Sequence, residues 1–543
     1  MNRHRFGFSR NQLLLCLLLL LILAFNFAIR WRLRDMPLER DEGEYAYAGQ
    51  LILQGVPPYQ LAYNMKFPGV YFAYSLLMTV FGQSTSGIHI GMILVTSITA
   101  ILVFLIGCEL MSAAGGLIAA AIFVCLSALP QALGLAGHAT HFVSLFVCAG
   151  VLALLFARKK KSSSGWFVSG TAFGLAILMK QQAIFFPPVF LAWYFSREFQ
   201  LGDRRKSGWL AFVFCAGCAI PVLVMAAGFA YAGLWGKFIF WTFEYARQYV
   251  AIFPLSTAPG QFVTGFDPIF KSGMLVWLAG MAGLMVILRK RDWSKPMELA
   301  ALLFLAGMLA TCPGFYFRAH YFLTAMPGLA LLSAAAVLSL GEALKSSRAV
   351  LLAKCLPLCL TAFIIAELVA DNYQAWFEQT PGQISRELYD INPFPESVPI
   401  AEYLRAHTST NDTIGVLGSE PQLFFLSGRR SASGYLYFYP LMEPQPFAPQ
   451  MRKGFMQEME GARPKYVVFV NMVSSWEQMI LPNDSSLSSN SIPGWWHSYS
   501  TNYMVTGAVD IFTNKPSQYF WDADLRGHSS FTNDDVLIYR RKE

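Results

Sequence analysis

Apolar positions crowd the chain as far as residue 370 and then thin out. A bilayer crossing takes about 20 apolar residues. Runs near that length occur at Asn11–Ile29 and near 88–107, 115–134, 141–157, 166–179, 183–196, 208–231, 272–288, 297–311, 321–340 and 349–369, which predicts eleven spans. The first run lacks a small-residue cleavage site and is too long for a signal-peptide core, so it reads as an uncleaved anchor. Beyond 370 the periods change. Ile400, Tyr403 and Leu404 share one face of a helix expected over Pro395–Ala406. Strands are expected at Thr413–Leu417, Tyr435–Tyr439, Tyr466–Val470 and Val536–Tyr539, each β-branched or aromatic and bounded by turn residues. Ser427 to Ser433 reads as a turn with a basic tip at Arg429 and Arg430. The expected fold class is a polytopic α-helical membrane protein of about eleven transmembrane helices over 1–370, followed by a soluble α/β domain over 371–543.

Charge supports that division. Only 14% of the 543 residues are charged, against about 25% in soluble domains, which excludes a soluble enzyme, a disordered chain and a basic nucleic-acid binder. Residues 1–370 hold 28 Lys+Arg and 14 Asp+Glu; residues 371–543 hold 13 and 19, so the tail is acidic. With the N-terminus inside, seventeen basic residues fall on inner segments, among them Arg3, Arg5, Arg10, Arg158–Lys161, Arg204–Lys206, Arg291, Lys295 and Arg348. Ten fall on the longer opposite segments. That bias fits the positive-inside rule and puts residues 370–543 outside the cytoplasm. None of the nine cysteines lies in the tail, so no disulfide framework is expected there.

The first outer loop, 31–87, carries five of the fourteen acids of the membrane part: Asp35, Glu39, Asp41, Glu42 and Glu44. Tyr45, Ala48 and Ile52 recur at helical spacing, predicting a juxtamembrane helix over Glu42–Gln54 lying on the membrane surface. Asp41 followed by Glu44 has the spacing of a capping box. The same aspartate can instead serve as a carboxylate base, since transferring a sugar to a hydroxyl or amine requires removal of the acceptor proton. Lys66, after the Pro57-Pro58 break, suits a phosphate leaving group as a point charge or snorkels at the interface.

This loop resembles that of the bacterial GT-C glycosyltransferases of the protein-mannosyltransferase type (family 39), which include the lipid A aminoarabinose transferase. The shared features are Asp41-Glu42, Tyr45, the Gly55 to Tyr59 bend and Tyr63-x-x-Lys66-x-Pro68. The resemblance implies a GT-C-like fold and transfer of a sugar from a polyprenyl-phosphate donor to a lipid, glycan or protein acceptor, with inversion. It implies that Asp41, with Glu42, is catalytic, that Tyr45 and Tyr63 shape the site, and that Lys66 contacts the donor phosphate. It further implies a cell-envelope enzyme of the bacterial inner membrane, acting in lipopolysaccharide or protein glycosylation. Met65 stands where some relatives have a glutamate implicated in metal binding. No cofactor is therefore assigned; a divalent metal is the one left open, and Met65 weighs against it.

Other polar residues gather at the same expected rim. His138 and His141 have metal-ligand spacing but no third ligand, so sugar hydrogen bonding or a wet interfacial pair explains them better. Lys180 interrupts an apolar hairpin, and an ionisable residue at membrane depth is a functional candidate; similar lysines occur there in the family. Arg318, His320 and Tyr321 resemble the family's R-Y-F-L-type motif, although aromatic anchoring accounts for the rings alone. The loop 232–271 is long and aromatic, suited to covering a site or anchoring at the surface. The alternative function is a transporter or flippase of a lipid-linked saccharide. Internal repeats and broken, polar midplane helices would mark one, whereas here the spans are nearly free of midplane charge.

Overall fold

The computed structural model describes residues 10–198, 204–290, 296–345, 350–476, 491–527 and 536–543. Arg3, Arg5, Arg291, Lys295 and Arg348 lie outside the described residues. Packing resolves the chain into two units: Met1–Arg34, His89–Ala227 and Phe253–Gln379 form one; Asp35–Ile88, Gly228–Ile252 and Thr380–Glu543 form the other. The first loop and 228–252 therefore pack with the tail.

In the first unit a helix stands on every apolar run expected to span. Among the described residues, five helices are long and apolar enough to cross a membrane, fewer than the eleven spans expected: Arg10–Arg32, Thr85–Leu110, Ala139–Lys160, Arg204–Tyr231 and Met326–Ala343. Leu255–Lys271 and Met274–Arg289 form a pair bent by 103°, a sixth if taken as one broken span. Ala113–Ser127, Ser163–Met179 and Glu298–Leu309 are shorter apolar helices. The run near 115–134 is cut by Pro130 and the left-handed Leu133, and Phe186–Glu198, at 13 residues, is only about 20 Å long.

Small residues let these helices approach closely, as membrane interiors favour. A Cβ on Gly170 would run into the Phe214 carbonyl, and one on Gly174 into that of Cys218, so Ser163–Met179 lies backbone to backbone on Arg204–Tyr231. Arg30, expected in the outer loop, ends the first helix and is buried. Its guanidinium donates to the Ser127 carbonyl (2.6 Å), the Gly134 carbonyl (3.1 Å) and Asn26 Oδ1 (3.1 Å). All nine cysteines are free.

In the second unit the tail forms a six-stranded sheet. Its strands are Thr413–Leu417 (β1), Arg430–Ser431 (β2), Tyr466–Val470 (β3), Tyr503–Asp510 (β4), Gln518–Trp521 (β5) and Val536–Arg541 (β6), in the order β2-β1-β3-β6-β4-β5. β1 pairs parallel with β2 and β3, and the β3–β6, β6–β4 and β4–β5 pairs are antiparallel. The expected helix appears as Ser397–His407.

Three expectations change here. Tyr435–Tyr439 is no strand: Tyr435 makes one isolated bridge, to Tyr63, and a short helix begins at Tyr439. Arg429 is no exposed tip. It is buried, donating to Thr408 Oγ1 (2.8 Å) and to the Thr408 and Arg405 carbonyls (2.9 and 3.2 Å). The aromatic loop 232–271 is largely helical, with Trp235–Ile239, a π-turn at Phe240–Tyr245, Ala246–Val250 and Ala258–Lys271.

Candidate active site

The first-loop helix runs over Arg40–Leu53, starting two residues earlier than expected. Its N-cap is Glu39. Glu39 Oε1 accepts the Glu42 N–H (2.8 Å), and the Glu42 carboxylate faces the Glu39 N–H (3.4 Å), a complete capping box. Capping satisfies backbone donors that have no partner in the first turn. The box thus belongs to Glu39 and Glu42, not to Asp41 and Glu44. Glu42, expected beside Asp41 in the chemistry, is wholly buried in this cap. Nor does the helix lie on a surface: Tyr45, Ala46, Tyr47, Ala48 and Leu51 are all buried, and a Cβ on Gly43 would collide with Gln422.

Freed of the cap, Asp41 and Glu44 share a helix face, three residues apart, and converge on Lys66. The Lys66 ammonium lies 2.7 Å from Asp41 Oδ1 and 2.6 Å from Glu44 Oε2. The bend after Pro57-Pro58 places it: Tyr59, at φ 64°, donates its hydroxyl to the Lys66 carbonyl (2.6 Å). Lys66 Nζ also sits 4.6 Å from the Tyr45 ring centre and 5.4 Å from that of Tyr437. Tyr71 and Tyr437 both donate to Glu44, the latter at 2.9 Å, and Tyr437 Oη is 3.2 Å from Asp41 Oδ1. The Asp41 side chain is 25% exposed and that of Glu44 1%, so Asp41 is the carboxylate a substrate can reach.

Electrostatics separate the roles further. Burial pushes the Glu44 carboxyl above the usual range, against the pull of Lys66. Burial opposes the charge on Lys66 as well, yet Asp41 and Glu44 outweigh it and hold the ammonium well above its usual pKa. Burial, then the charges of Glu44 and Asp41, keep the Tyr437 phenol protonated as a donor. The cluster is a reachable carboxylate held by a fixed cation on a buried polar floor.

Tyr63 stands apart from it. Its ring stacks on Trp241 (5.4 Å, 18°), its hydroxyl donates to Glu458 Oε1 (3.0 Å), and Lys237 Nζ lies 4.7 Å from its ring centre.

The remaining candidates lie in the first unit. His138 stacks on His320 (4.0 Å, 9°), and His320 meets the edge of Tyr321 (4.8 Å). Lys180 Nζ lies 3.8 Å from the Tyr321 ring centre. His141 does not pair with His138; its Nε2 lies 3.0 Å from the Gly134 carbonyl oxygen. Arg318 is exposed, its guanidinium over Tyr316 (5.3 Å). Glu44, Tyr71 and Tyr437 join the cluster without having been anticipated as site residues. Glu44 was masked by its cap-like spacing, Tyr71 by an apolar run, and Tyr437 by strand-like alternation.

Residues 65–232 match the family model described as dolichyl-phosphate-mannose-protein mannosyltransferase. The fold is similar to that of ArnT from Cupriavidus metallidurans bound to undecaprenyl phosphate, with TM-score 0.57 and 15% identity over 85% of this chain and 94% of that one. ArnT from the same organism in the apo state is similar over 98% of both chains, with TM-score 0.56 and 12% identity. The Archaeoglobus fulgidus oligosaccharyltransferase tethered with an acceptor peptide is similar over 93% of this chain and 74% of that one, with TM-score 0.55 and 12% identity. No curated protein sequence matches the chain. These neighbours have the GT-C fold, so the architecture is that of a GT-C multi-pass membrane protein with a C-terminal sheet-containing region. The family match and the fold support a glycosyltransferase, as the first-loop resemblance implies.

Proposed function

We propose that the protein transfers a sugar from a polyprenyl-phosphate donor to a lipid, glycan or protein acceptor, with Asp41 as the base. The observation that carries this reading is the convergence of Asp41, Glu44 and Lys66 on one face of the first-loop helix, with Asp41 the reachable carboxylate. The acceptor oxygen or nitrogen attacks the anomeric carbon, its proton passes to Asp41, and the bond from that carbon to the phosphate oxygen breaks. Attack opposite the leaving group inverts the anomeric centre. A lysine ammonium has three donors; two meet Asp41 and Glu44, which leaves the third for a phosphate oxygen. Each of these steps uses the chain's own groups and calls on no cofactor.

Tyr45 supports the Lys66 ammonium with its ring. Lys180 beside Tyr321, and Arg318, are candidates for phosphate contact within their own unit; His138, His141 and His320 are candidates for shaping a polar pocket there. From the basic clusters we infer a cytoplasmic N-terminus and a tail on the opposite side, in the inner membrane of a bacterial cell.

Mass spectrometry of envelope glycolipids, polysaccharides and glycoproteins from a deletion strain, complemented in parallel with wild type and Asp41→Asn, tests the reading. Wild type restores a glycosylated product that the deletion lacks, and Asp41→Asn at normal abundance does not. A normal product level with Asp41→Asn would remove Asp41 as the base.

A further inference from the structure

Between β2 and the helix Tyr439–Met442 the chain runs from Ala432 to Phe438 with no ladder of its own, yet it is tied at almost every step. On the tail side the Ala432 N–H donates to the Ile414 carbonyl (2.8 Å), the Gly434 N–H to Glu458 Oε2 (2.9 Å) and the Phe438 N–H to Ser419 Oγ (2.9 Å). On the first-loop side the Ser431 N–H donates to Tyr47 Oη (2.8 Å), and the Tyr63 N–H donates to the Gly434 carbonyl (2.7 Å). A Cβ on Gly434 would strike the Tyr63 ring, so the two strands of chain meet without a spacer.

Held this way, the segment delivers one phenol into the carboxylate cluster. Tyr437 Oη lies 3.2 Å from Asp41 Oδ1, 2.9 Å from Glu44 Oε2 and 3.1 Å from the Arg40 carbonyl. A second grip falls on the residue before Asp41. The Arg40 guanidinium donates to the Ser419 carbonyl, to Glu420 Oε1 (2.8 Å) and to Asn392 Oδ1 (3.0 Å). Ser419 and Glu420 follow the carboxyl end of β1, where open α/β sheets take their ligands. In this tail that place is filled by a first-loop arginine.

We propose that Tyr437 is a positioning residue for Asp41: its one hydroxyl proton is shared between Asp41 and Glu44, and the tail is the frame that carries it. The proposal rests on the glycosyl-transfer reading only for what Asp41 then does. A donor to the charged form favours that form, which is what a change at 437 puts to the test. Within this unit the other groups acting on Asp41 are Lys66 from the bend, Glu39, Glu44 and Tyr45 from its own helix, Tyr74 from Gly69–Phe81, and Tyr389. Of these, Glu44 shares the Tyr437 hydroxyl and Lys66 lies 5.4 Å from the Tyr437 ring centre; Tyr437→Phe keeps that ring and removes only the hydroxyl.

Infrared difference titration of the full chain in lipid nanodiscs reads Asp41 directly, its band assigned by its loss in Asp41→Asn. Tyr437→Phe keeps the ring and should raise the Asp41 midpoint by about one pH unit, the size of one hydrogen bond to a charged group. Incorporating 3-fluorotyrosine at 437, a stronger donor of the same shape, should lower it. Tyr439→Phe, whose hydroxyl serves the Ser474 carbonyl, should leave it in place. A midpoint unmoved by both changes at 437 overturns the proposal. Because the titration needs no donor or acceptor, it is separable from transfer. A moved midpoint together with an active Asp41→Asn would sink the transfer reading alone; an unmoved midpoint with an inactive Asp41→Asn would sink the positioning alone.

Discussion

Glu39 with Glu42 and Asp41 with Glu44 are carboxylate pairs of identical spacing, interleaved within six residues at the start of one helix. Glu39 and Glu42 turn onto the backbone and close the helix end. Asp41 and Glu44 turn onto Lys66. An offset of two residues is about 200° around a helix, so the pairs point to nearly opposite sides. Spacing alone therefore cannot say which pair is structural; what lies opposite each face decides it. One face meets its own N-terminus, and the other meets an ammonium brought back by a proline bend and two phenols.

The largest effect that would break this contrast belongs to Asp41. Replacing it with Asn should lower transfer by about 10²- to 10⁴-fold, the range for loss of a general base, with Tm in detergent unchanged within a few degrees. Glu44→Gln comes next. It leaves Lys66 with one carboxylate instead of two, and a loss of roughly tenfold in transfer is expected, as for about 1.4 kcal/mol of misplaced charge. Full activity in Glu44→Gln would show that Lys66 is positioned by Asp41 alone.

Glu39→Ala should do the opposite. It removes the cap at about 1 kcal/mol of stability, read as a lowered unfolding midpoint, while transfer per folded molecule stays near wild type. The smallest effect is on pH dependence. Burial, then the neighbouring carboxylates, push Glu39 well above the usual range, and burial pushes Glu44 in the same direction. The folded chain therefore keeps protons that the unfolded chain has released, so stability falls as pH rises from the ordinary carboxylate value through the raised ones. Glu39→Gln should flatten that slope more than Glu44→Gln, because Lys66 already offsets part of the Glu44 shift.

Much of the architecture was legible along the chain. β1 and β3 fall on their expected bounds because each is a short apolar, β-branched run between turn residues. Tyr435–Tyr439 alternates just as well, but Leu436, Tyr437 and Phe438 are all buried, so its pattern reflects aromatic packing on both sides rather than a pleat. β4 went unseen because Gly507 and a register shift interrupt it. Of the site, Asp41 and Lys66 were legible because charge is scarce in the first 370 residues. Tyr437 was not, since its contact with Asp41 spans 396 positions and no local pattern records it. The capping box was read two residues late because the same i, i+3 spacing occurs twice in the sequence from Glu39 to Glu44.

The most direct test sets the two pairs against each other in one background. Deletion-strain membranes carrying equal amounts of Asp41→Asn or Glu42→Gln are compared for the glycosylated product that wild type restores. Product near the wild-type level is expected with Glu42→Gln and none above background with Asp41→Asn. Product retained by Asp41→Asn and lost with Glu42→Gln would contradict that expectation.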